Sequence, residues 1–259
     1  MKNIYCLLIV SFLCIFSLLP AGAQTLSEKD FQVLNMNDGL SDNDIHSVAK
    51  DTEGFMWFGT GSGLNRYDGR TFKVFRMPGI SYRRIDRVVS LDTDYLLLRS
   101  EQNLFLFDKK YERFLPVCDS VSKQPVMFAD FVADSDGSCW GVSSGELSEV
   151  NFPSSFVQDT AFVSVRHVVN NSQNDPFVVL CMGEDGKMLY CASRNGTVYR
   201  FTPGQRQLKK VCDGQLSSGR WVSSLLNDDS FIWIPTVGDG LYGYDLTNGK
   251  LHHWQYISE

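Results

Sequence analysis

The amino-acid sequence predicts an all-β protein made of repeated four-stranded units. Short apolar segments alternate with turn residues along the chain, as at Asp51-Thr52-Glu53-Gly54, where Asp and Gly favour a tight turn. A leucine or valine recurs at positions 64, 104, 147, 198 and 241, at intervals of 40, 43, 51 and 43 residues. Because a period of about 40 to 45 residues is typical of one four-stranded blade, we predict a β-propeller of antiparallel blades.

Residues 43–76 predict the first blade as an antiparallel meander of four strands. Ile45 and Val48 lie in its first strand, and an aromatic second strand follows the turn at Asp51 and Gly54. Its third and fourth strands are predicted at 64–67 and 72–75, and we interpret Asp51 as a turn cap rather than a catalytic acid.

Four further blades are predicted at 84–115, 126–152, 161–203 and 220–256. The third gives the strongest internal match, because Asp134-x-x-Gly137-x-x-Trp140 repeats the spacing of Asp51-x-x-Gly54-x-x-Trp57. The fourth is the least regular; 162–169 is its candidate first strand, although its first two strands could be assigned either way. About five blades are therefore expected, with centres near Trp57, Leu97, Trp140, Leu189 and Trp233.

Tryptophans recur at equivalent strand positions, which favours packing between blades over stacking on a sugar. The three in question are Trp57, Trp140 and Trp233. Trp221 lies outside that position, in the loop that enters a first strand, and we also interpret it as a packing aromatic rather than a ligand platform.

The repeat resembles a known family. The matching pattern is Gly39-Leu40-Ser41, the pair Ile45 and Val48, Asp51-x-x-Gly54, Trp57-x-Gly59-Thr60, and Gly63-Leu64-x-Arg66-Tyr67-Asp68-Gly69. It is similar to the regulator-propeller repeat of the periplasmic sensor region of hybrid two-component systems. The first repeat matches almost throughout, the third and fifth match in part, and the resemblance covers about residues 24–259.

The resemblance implies a sensor that binds an oligosaccharide and controls genes for polysaccharide use. It also implies two seven-bladed propellers, so we expect this chain to be a truncated, incomplete seven-bladed propeller without kinase, receiver or DNA-binding parts. Self-association through open blade edges, or a homodimer as in the family, is expected. The alternatives are a stand-alone secreted interaction scaffold or, less favoured, a propeller lyase.

The first 23 residues predict a signal peptide. Lys2 precedes an apolar run from Ile4 to Leu19, and Ala21-Gly22-Ala23 forms a small-residue cleavage site, so we expect a periplasmic protein; an uncleaved anchor helix is the alternative. Loss of Lys2 changes the formal charge from -6 to -7, which argues against binding of nucleic acid. No later apolar run approaches the ~18 residues of a membrane span.

Residues 31–34 predict a spare strand that precedes the first blade. In the repeat this position belongs to the outer strand of a final blade, which propellers use to close the ring. The fifth blade already has a predicted outer strand at 251–256, so the spare strand has no blade to complete.

No catalytic, cofactor or metal site is predicted, and the ligand-binding residues stay unknown. Four histidines, His46, His167, His252 and His253, share no metal-ligand spacing, and the last two alternate across a strand. Arg83, Arg84 and Arg87 form a basic cluster that we interpret as a solvated loop rather than an anion site.

Five cysteines remain after the signal peptide, and we predict buried thiols. They are Cys118, Cys139, Cys181, Cys191 and Cys212. A disulfide between Cys181 and Cys191 is the alternative, but a two-residue turn at 184–185 would place Cys181 opposite Met188 instead.

Overall fold

The computed structural model describes residues 32–79, 84–91, 94–133, 138–153, 156, 159–171, 174–183, 186–214, 216, 219–228 and 230–255. The predicted signal peptide lies outside these residues, as do Asp134, Gly137 and Arg83. Within the described ranges, no helix is long and apolar enough to cross a membrane.

Blade 1 is a four-stranded antiparallel sheet with the strands in chain order. Its strands are β1 (Ile45–Lys50), β2 (Met56–Thr60), β3 (Gly63–Tyr67) and β4 (Phe72–Phe75). A short 3-10 helix, Met36–Asp38, precedes it, and the Asn35 side chain caps this helix by accepting from Asn37 N.

Blades 2 and 3 share one eight-stranded sheet. Blade 2 has β5 (Arg87–Ser90), β6 (Tyr95–Ser100), β7 (Asn103–Asp108) and β8 (Arg113–Asp119). Blade 3 has β9 (Asp130–Ala133), β10 (Cys139–Ser143), β11 (Glu146–Asn151) and β12 (Ala161–Asn170). The start of β12 pairs in parallel with β8, from Ala161 opposite Val117 to Val163 opposite Asp119, and so joins the outer strands of the two blades.

Blades 4 and 5 follow the same order. Blade 4 has β13 (Phe177–Met182), β14 (Leu189–Ser193), β15 (Val198–Thr202) and β16 (Gln207–Cys212). Blade 5 has β19 (Phe231–Val237), β20 (Leu241–Asp245) and β21 (Leu251–Trp254), and its first strand is split into β17 (Trp221–Val222) and β18 (Leu226–Asn227).

The predicted all-β propeller of four-stranded blades is confirmed, but one strand was assigned to the wrong blade. Residues 162–169, expected as the first strand of blade 4, lie in β12, the outer strand of blade 3. The aligned Val198 already fixes β15 as the third strand of blade 4, so β14 and β13 must be its second and first strands. Blade 3 therefore extends to residue 170 instead of 152, and blade 4 spans 177–212 instead of 161–203.

The described part of the predicted spare strand is not a strand. No β-strand is formed by Gln32, Val33 and Leu34, and the side chain of Val33 is 80% exposed. Phe31 lies outside the described residues.

The described residues form four hydrophobic core clusters, one between each pair of consecutive blades. Trp57 lies in the cluster between blades 1 and 2, and Trp140 in the cluster between blades 3 and 4. Both indoles are at most 3% exposed, which confirms the packing role predicted for them. Trp233 is on the face of blade 5 directed away from blade 4 and is only half-buried.

All five described cysteines are free thiols; Cys139, Cys181 and Cys191 are buried as predicted, whereas Cys118 and Cys212 are only partly buried. Cys181 is paired with Tyr190 rather than with Met188, because regular pairing ends at Met182 and Leu189 and the turn is longer than two residues. The side chains of Cys181 and Cys191 are therefore not opposite each other.

Candidate ligand-binding face

One end of the propeller carries both the turns between second and third strands and the links between successive blades. In an antiparallel meander, the turn between the second and third strands lies at the same end as the link from the fourth strand to the next blade. We call this end the loop face. Its turns are at 61–62, 101–102, 144–145, 194–197 and 238–240.

A cavity of 470 Å³ opens on the loop face where blades 2 and 3 meet. We call it the arginine cavity. Its lining residues are Arg84, Asp86, Arg99, Glu101, Gln102 and Ala129. Four of the six side chains carry a charge, two of each sign, so the walls offer many hydrogen-bonding groups without a net charge.

The two arginines of the cavity share one carboxylate. Arg84 Nε lies 2.5 Å from Asp86 Oδ1, and Arg99 Nε lies 4.0 Å from Asp86 Oδ2. Asp86 Oδ2 also accepts a hydrogen bond of 3.2 Å from the backbone N–H of Glu101. Burial lowers the pKa of Arg99, while attraction to Asp130 and Asp86 opposes that change. Since a guanidinium carries five N–H donors, these contacts orient the arginines and leave donors for a ligand.

The turn at the cavity rim has an uncommon backbone. Ser100 and Asn103 close the β6–β7 hairpin, and the two residues between them, Glu101 and Gln102, have φ of 49° and 70°. Hairpins of this type usually place Asn and Gly in the left-handed region, because other side chains are strained there. Polar side chains at both positions are held outward, at the edge of the cavity.

Asp130 links the first strands of three blades behind the cavity. Its carboxylate lies 3.3 Å from Arg87 Nη1 in β5 and accepts a 3.1 Å hydrogen bond from Leu180 N in β13. Burial raises the pKa of Asp130, and the charge of Arg87 opposes the rise. The carboxylate therefore acts as a structural acceptor that fixes blades 2, 3 and 4 relative to one another.

A second cavity, of 260 Å³, lies between the segment that links blades 2 and 3 and the strands of blade 3. We call it the serine cleft; its lining includes Ser122, Met127, Ser143, Ser144 and His167. The segment 126–129 runs between the two cavities. It is held by hydrogen bonds from Phe128 N to Gln102 O (2.9 Å) and from Ala129 N to Val142 O (2.8 Å). A chain-like polar ligand could contact both cavities across this segment.

The serine cleft contains a Ser, a His and a Glu, but not in a catalytic arrangement. Ser148 Oγ lies 3.0 Å from His167 Nδ1, and Glu146 Oε2 lies 3.1 Å from the same nitrogen. Proton relay in a Ser–His–acid triad requires the serine and the acid on opposite ring nitrogens. Ser148 is also only 2% exposed, so its hydroxyl is not accessible as a nucleophile.

A polar network stabilises the loop face of blade 5. Tyr242 Oη donates a 2.7 Å hydrogen bond to Asp239 Oδ2, Gln255 Nε2 donates one of 3.0 Å to Oδ1, and Arg220 pairs with the same carboxylate. Burial and Asp239 together raise the pKa of Tyr242 to about 12. Both carboxylate oxygens are occupied, so we assign the network to the support of the turn at 238–240.

The remaining residues singled out by sequence are dispersed. Trp221 is 45% exposed, so the packing interpretation is wrong for this residue. His252 stacks on Trp254, whereas His253 stacks on Tyr242, and the two rings are on opposite faces of β21 as predicted. Across the described ranges, no group of three or more His, Cys, Asp or Glu could hold a metal ion.

The predicted basic cluster is ion-paired where it is described. Arg84 contacts Asp86, and Arg87 contacts Asp130, so neither is a free anion site. Sequence reasoning missed Asp86, Arg99, Glu101 and Gln102. The signal for them was a glycine-free polar pair, Glu101-Gln102, between two strongly apolar strands.

The comparisons with known proteins confirm the resemblance to regulator propellers. Residues 39–62 match the model of the two component regulator propeller family. The chain is 37% identical over 78 residues to Histidine kinase P4 of Formosa agariphila, a match that covers 29% of this chain and 5% of that protein. The chain thus matches only a small part of that curated relative.

Solved structures show the same fold. The extracellular domain described for the hybrid two component system BT3049 of B. thetaiotaomicron matches with a TM-score of 0.55 and 15% identity, over 88% of this chain and 37% of that one. Virginiamycin B lyase of Staphylococcus aureus matches with a TM-score of 0.59 and 12% identity, over 88% and 74%. At such identities the likeness establishes the propeller fold alone, because one fold hosts many functions.

Proposed function

We propose that this propeller is the exported sensor region of a hybrid two-component system and that it binds an oligosaccharide on the loop face. The single observation that carries the ligand proposal is the arginine cavity, with its paired guanidinium and carboxylate groups. The regulator-propeller match over residues 39–62 supports the sensor role. In a full-length protein, ligand binding here would control genes for polysaccharide use.

The chemistry of the cavity suits a sugar. Hydroxyl groups both donate and accept hydrogen bonds, and the cavity offers guanidinium donors beside carboxylate acceptors. Because Arg84 and Arg99 are balanced by Asp86 and Glu101, a neutral sugar would leave no charge uncompensated. The serine cleft beyond segment 126–129 would accommodate further units of the same chain.

Export is part of this proposal. Cleavage of the first 23 residues would leave Gln24 as the mature N-terminus. N-terminal sequencing of the protein purified from a periplasmic fraction tests this, and an intact Met1 would contradict it.

Calorimetric titration of the purified chain against a panel of neutral and acidic oligosaccharides tests ligand binding. We expect Arg84→Gln and Glu101→Gln each to weaken binding at least tenfold. Arg206→Gln is the matched control, because Arg206 lies in the turn between the third and fourth strands of blade 4, at the opposite end of the propeller. Absence of binding to every oligosaccharide, or binding unaffected by the cavity variants, would overturn the proposal.

We assign binding rather than catalysis to the chain. A lyase would need a general base, for which histidine is the commonest side chain, and the histidines of the described residues lie on separate blades or on opposite strand faces, so they do not converge on one site. Incubation of the panel with the chain, followed by chromatography of the sugars, should return them uncleaved.

A further inference from the structure

Blade 4 carries two cations side by side on the face that packs against blade 5. Arg200 in β15 and Lys209 in β16 are directly opposite each other in the register, and Tyr190 in β14 is opposite Arg200 on the other side. Residues opposite each other on neighbouring antiparallel strands share one face of the sheet. Because Tyr190 belongs to the cluster between blades 4 and 5, both cations are on the side of blade 4 that faces blade 5.

A cavity of 200 Å³ lies between these two blades, and we call it the basic groove. Arg200, Lys209 and Lys210 line it, together with Tyr190 and the residues Tyr244 and Leu246 of blade 5, and no carboxylate does. Lys210 is paired with Asp213. Within the part of the chain that the structure describes, the side chains of Arg200 and Lys209 have no ion pair or hydrogen bond. The groove therefore differs from the arginine cavity, where the charges balance.

The same row of residues is compensated or apolar in the two blades before blade 4. Like charges directly opposite each other on neighbouring strands destabilise a sheet. In blade 3 the row pairs Glu149 with Arg166, and these two side chains form an ion pair. In blade 2 the row consists of three leucines, at positions 97, 106 and 115. Two adjacent cations without an acid are thus not a general feature of the repeat.

Blade 1 has the same pair of cations and shows what compensates them. Arg66 and Lys73 are opposite each other, beside Trp57. Glu112 of blade 2 extends to this row, and its two carboxylate oxygens accept hydrogen bonds of 2.5 and 2.7 Å from Lys73 Nζ. The guanidinium of Arg66 lies over the ring of Phe55, 4.7 Å from its centroid. A carboxylate from the following blade therefore neutralises the row in blade 1.

The corresponding segment of blade 5 supplies no carboxylate. Glu112 lies in the link between the third and fourth strands of blade 2, and the same link in blade 5 is Leu-Thr-Asn-Gly-Lys, residues 246–250. Asp245 directly precedes this link, but its two oxygens accept hydrogen bonds from Thr247 and Asn248 within the turn. The link thus places Leu246 at the groove and leaves the two cations of blade 4 without the acid that their counterparts in blade 1 have.

We propose that the basic groove binds an oxyanion of a small molecule, a carboxylate or a phosphate group, in the position that the Glu112 carboxylate has in blade 1. A guanidinium and an ammonium group both make strong, charge-assisted hydrogen bonds to such a group. Tyr244 and Leu246 form the opposite wall and would shield the anion in part from water. The groove lies between blades 4 and 5, whereas the arginine cavity lies between blades 2 and 3, so this inference does not depend on the proposed oligosaccharide binding.

Calorimetric titration of the purified chain with sodium citrate and, separately, with sodium phosphate tests the proposal at an ionic strength held constant with sodium chloride. We expect one site per chain, and Arg200→Gln and Lys209→Gln should each weaken binding at least tenfold. Tighter binding of citrate would identify a carboxylate ligand, and tighter binding of phosphate a phosphate ligand. Lys73→Gln is the matched control, because that cation is already compensated, and it should bind like the unmodified chain. Arg84→Gln should also leave anion binding unchanged, which separates this site from the arginine cavity.

Two further variants change the carboxylates and keep the cations. Leu246→Glu adds an acid at the groove and should abolish anion binding. Glu112→Gln removes the acid from the row of blade 1 and should create a second site per chain. Circular dichroism shows that each variant is folded.

Three results would overturn the proposal. The first is that the unmodified chain binds neither citrate nor phosphate. The second is binding that Arg200→Gln or Leu246→Glu leaves unchanged, since the anion would then bind elsewhere. The third is a single site in Glu112→Gln, because the carboxylate of blade 1 would then not occupy an equivalent anion position.

Discussion

The indole Nε1 of Trp57 donates a hydrogen bond of 2.8 Å to Oδ2 of Asp51, the first residue of the turn that precedes its strand. The other oxygen of Asp51 accepts from the backbone N–H groups of Glu53 and Phe55, each at 3.0 Å. Blade 5 repeats the arrangement, where Trp233 Nε1 donates to Asp228 at 2.6 Å. One carboxylate therefore shapes the turn and fixes the ring that packs between blades.

We predict that Asp51→Asn destabilises the protein in a pH-dependent manner. Burial alone would raise the pKa of Asp51, but the hydrogen bond from Trp57, the charge of Lys109 and the two backbone donors outweigh it and lower the pKa. Such a group contributes stability above the unfolded-state value of about 3.9, and this contribution is lost as pH falls through the lower folded-state pKa. At pH 7 the free energy of unfolding should fall by about 1–3 kcal/mol.

Urea unfolding of both proteins between pH 7 and pH 3 is the measurement. The difference should shrink as pH falls below about 3.9, because the carboxylate of the unfolded chain then takes up a proton while the folded-state carboxylate, with its lower pKa, still resists protonation. Glu53→Gln, at an exposed carboxylate two residues away, should show little loss of stability. A constant difference at every pH would contradict the explanation.

We predict that Trp57→Ala costs about 3–5 kcal/mol of unfolding free energy, as expected for a large ring removed from a close-packed core. Trp57 is 1% exposed and contacts Phe75 and Phe107 with centroid distances of 5.8 and 5.6 Å. Trp233→Ala is the matched control at the equivalent position of blade 5. Because Trp233 is only half-buried, its loss should cost clearly less; equal costs would show that burial between blades does not decide the effect.

The repeat period and the aligned third strands predicted the blades, because each blade repeats one hydrophobic pattern. The same reasoning did not predict β12 as the outer strand of blade 3. Its pairing with β8 of another blade is a contact distant in sequence, and the local pattern of 162–169 suits a first strand equally well. The arginine cavity was missed for a similar reason: Asp86 directly precedes β5 whereas Arg99 lies in β6, and only the fold brings them together. Trp221 was wrongly interpreted as a packing residue, because the sequence alone does not show whether another blade covers the face of the sheet on which its side chain lies.

We predict that the buried cysteines resist alkylation in the folded chain. Burial raises the pKa of Cys181 to about 12 and also raises that of Cys191, so almost no thiolate is present at pH 8. Cys118, which is partly exposed, should react first. Mass-spectrometric mapping after iodoacetamide treatment gives the order, and treatment in urea should label all three. Labelling of Cys191 as fast as Cys118 in the folded chain would contradict the described packing.

Gly141 connects the packing of blade 3 with the arginine cavity. A Cβ at this residue would lie 2.2–2.4 Å from ring atoms of Phe128, far inside contact distance, so Phe128 would have to move. Phe128 is 3% exposed and is next to Ala129, which lines the cavity. Gly141→Ala should therefore lower the free energy of unfolding by about 1–3 kcal/mol, as for overpacked cores. The same substitution should also lower the affinity of the arginine cavity for any ligand that binds there. Gly204→Ala is the control, because nothing lies within 4 Å of a Cβ there. An unchanged midpoint of urea unfolding in Gly141→Ala would show that segment 126–129 can shift without loss of stability. The segment would then not be a rigid divider between the two cavities.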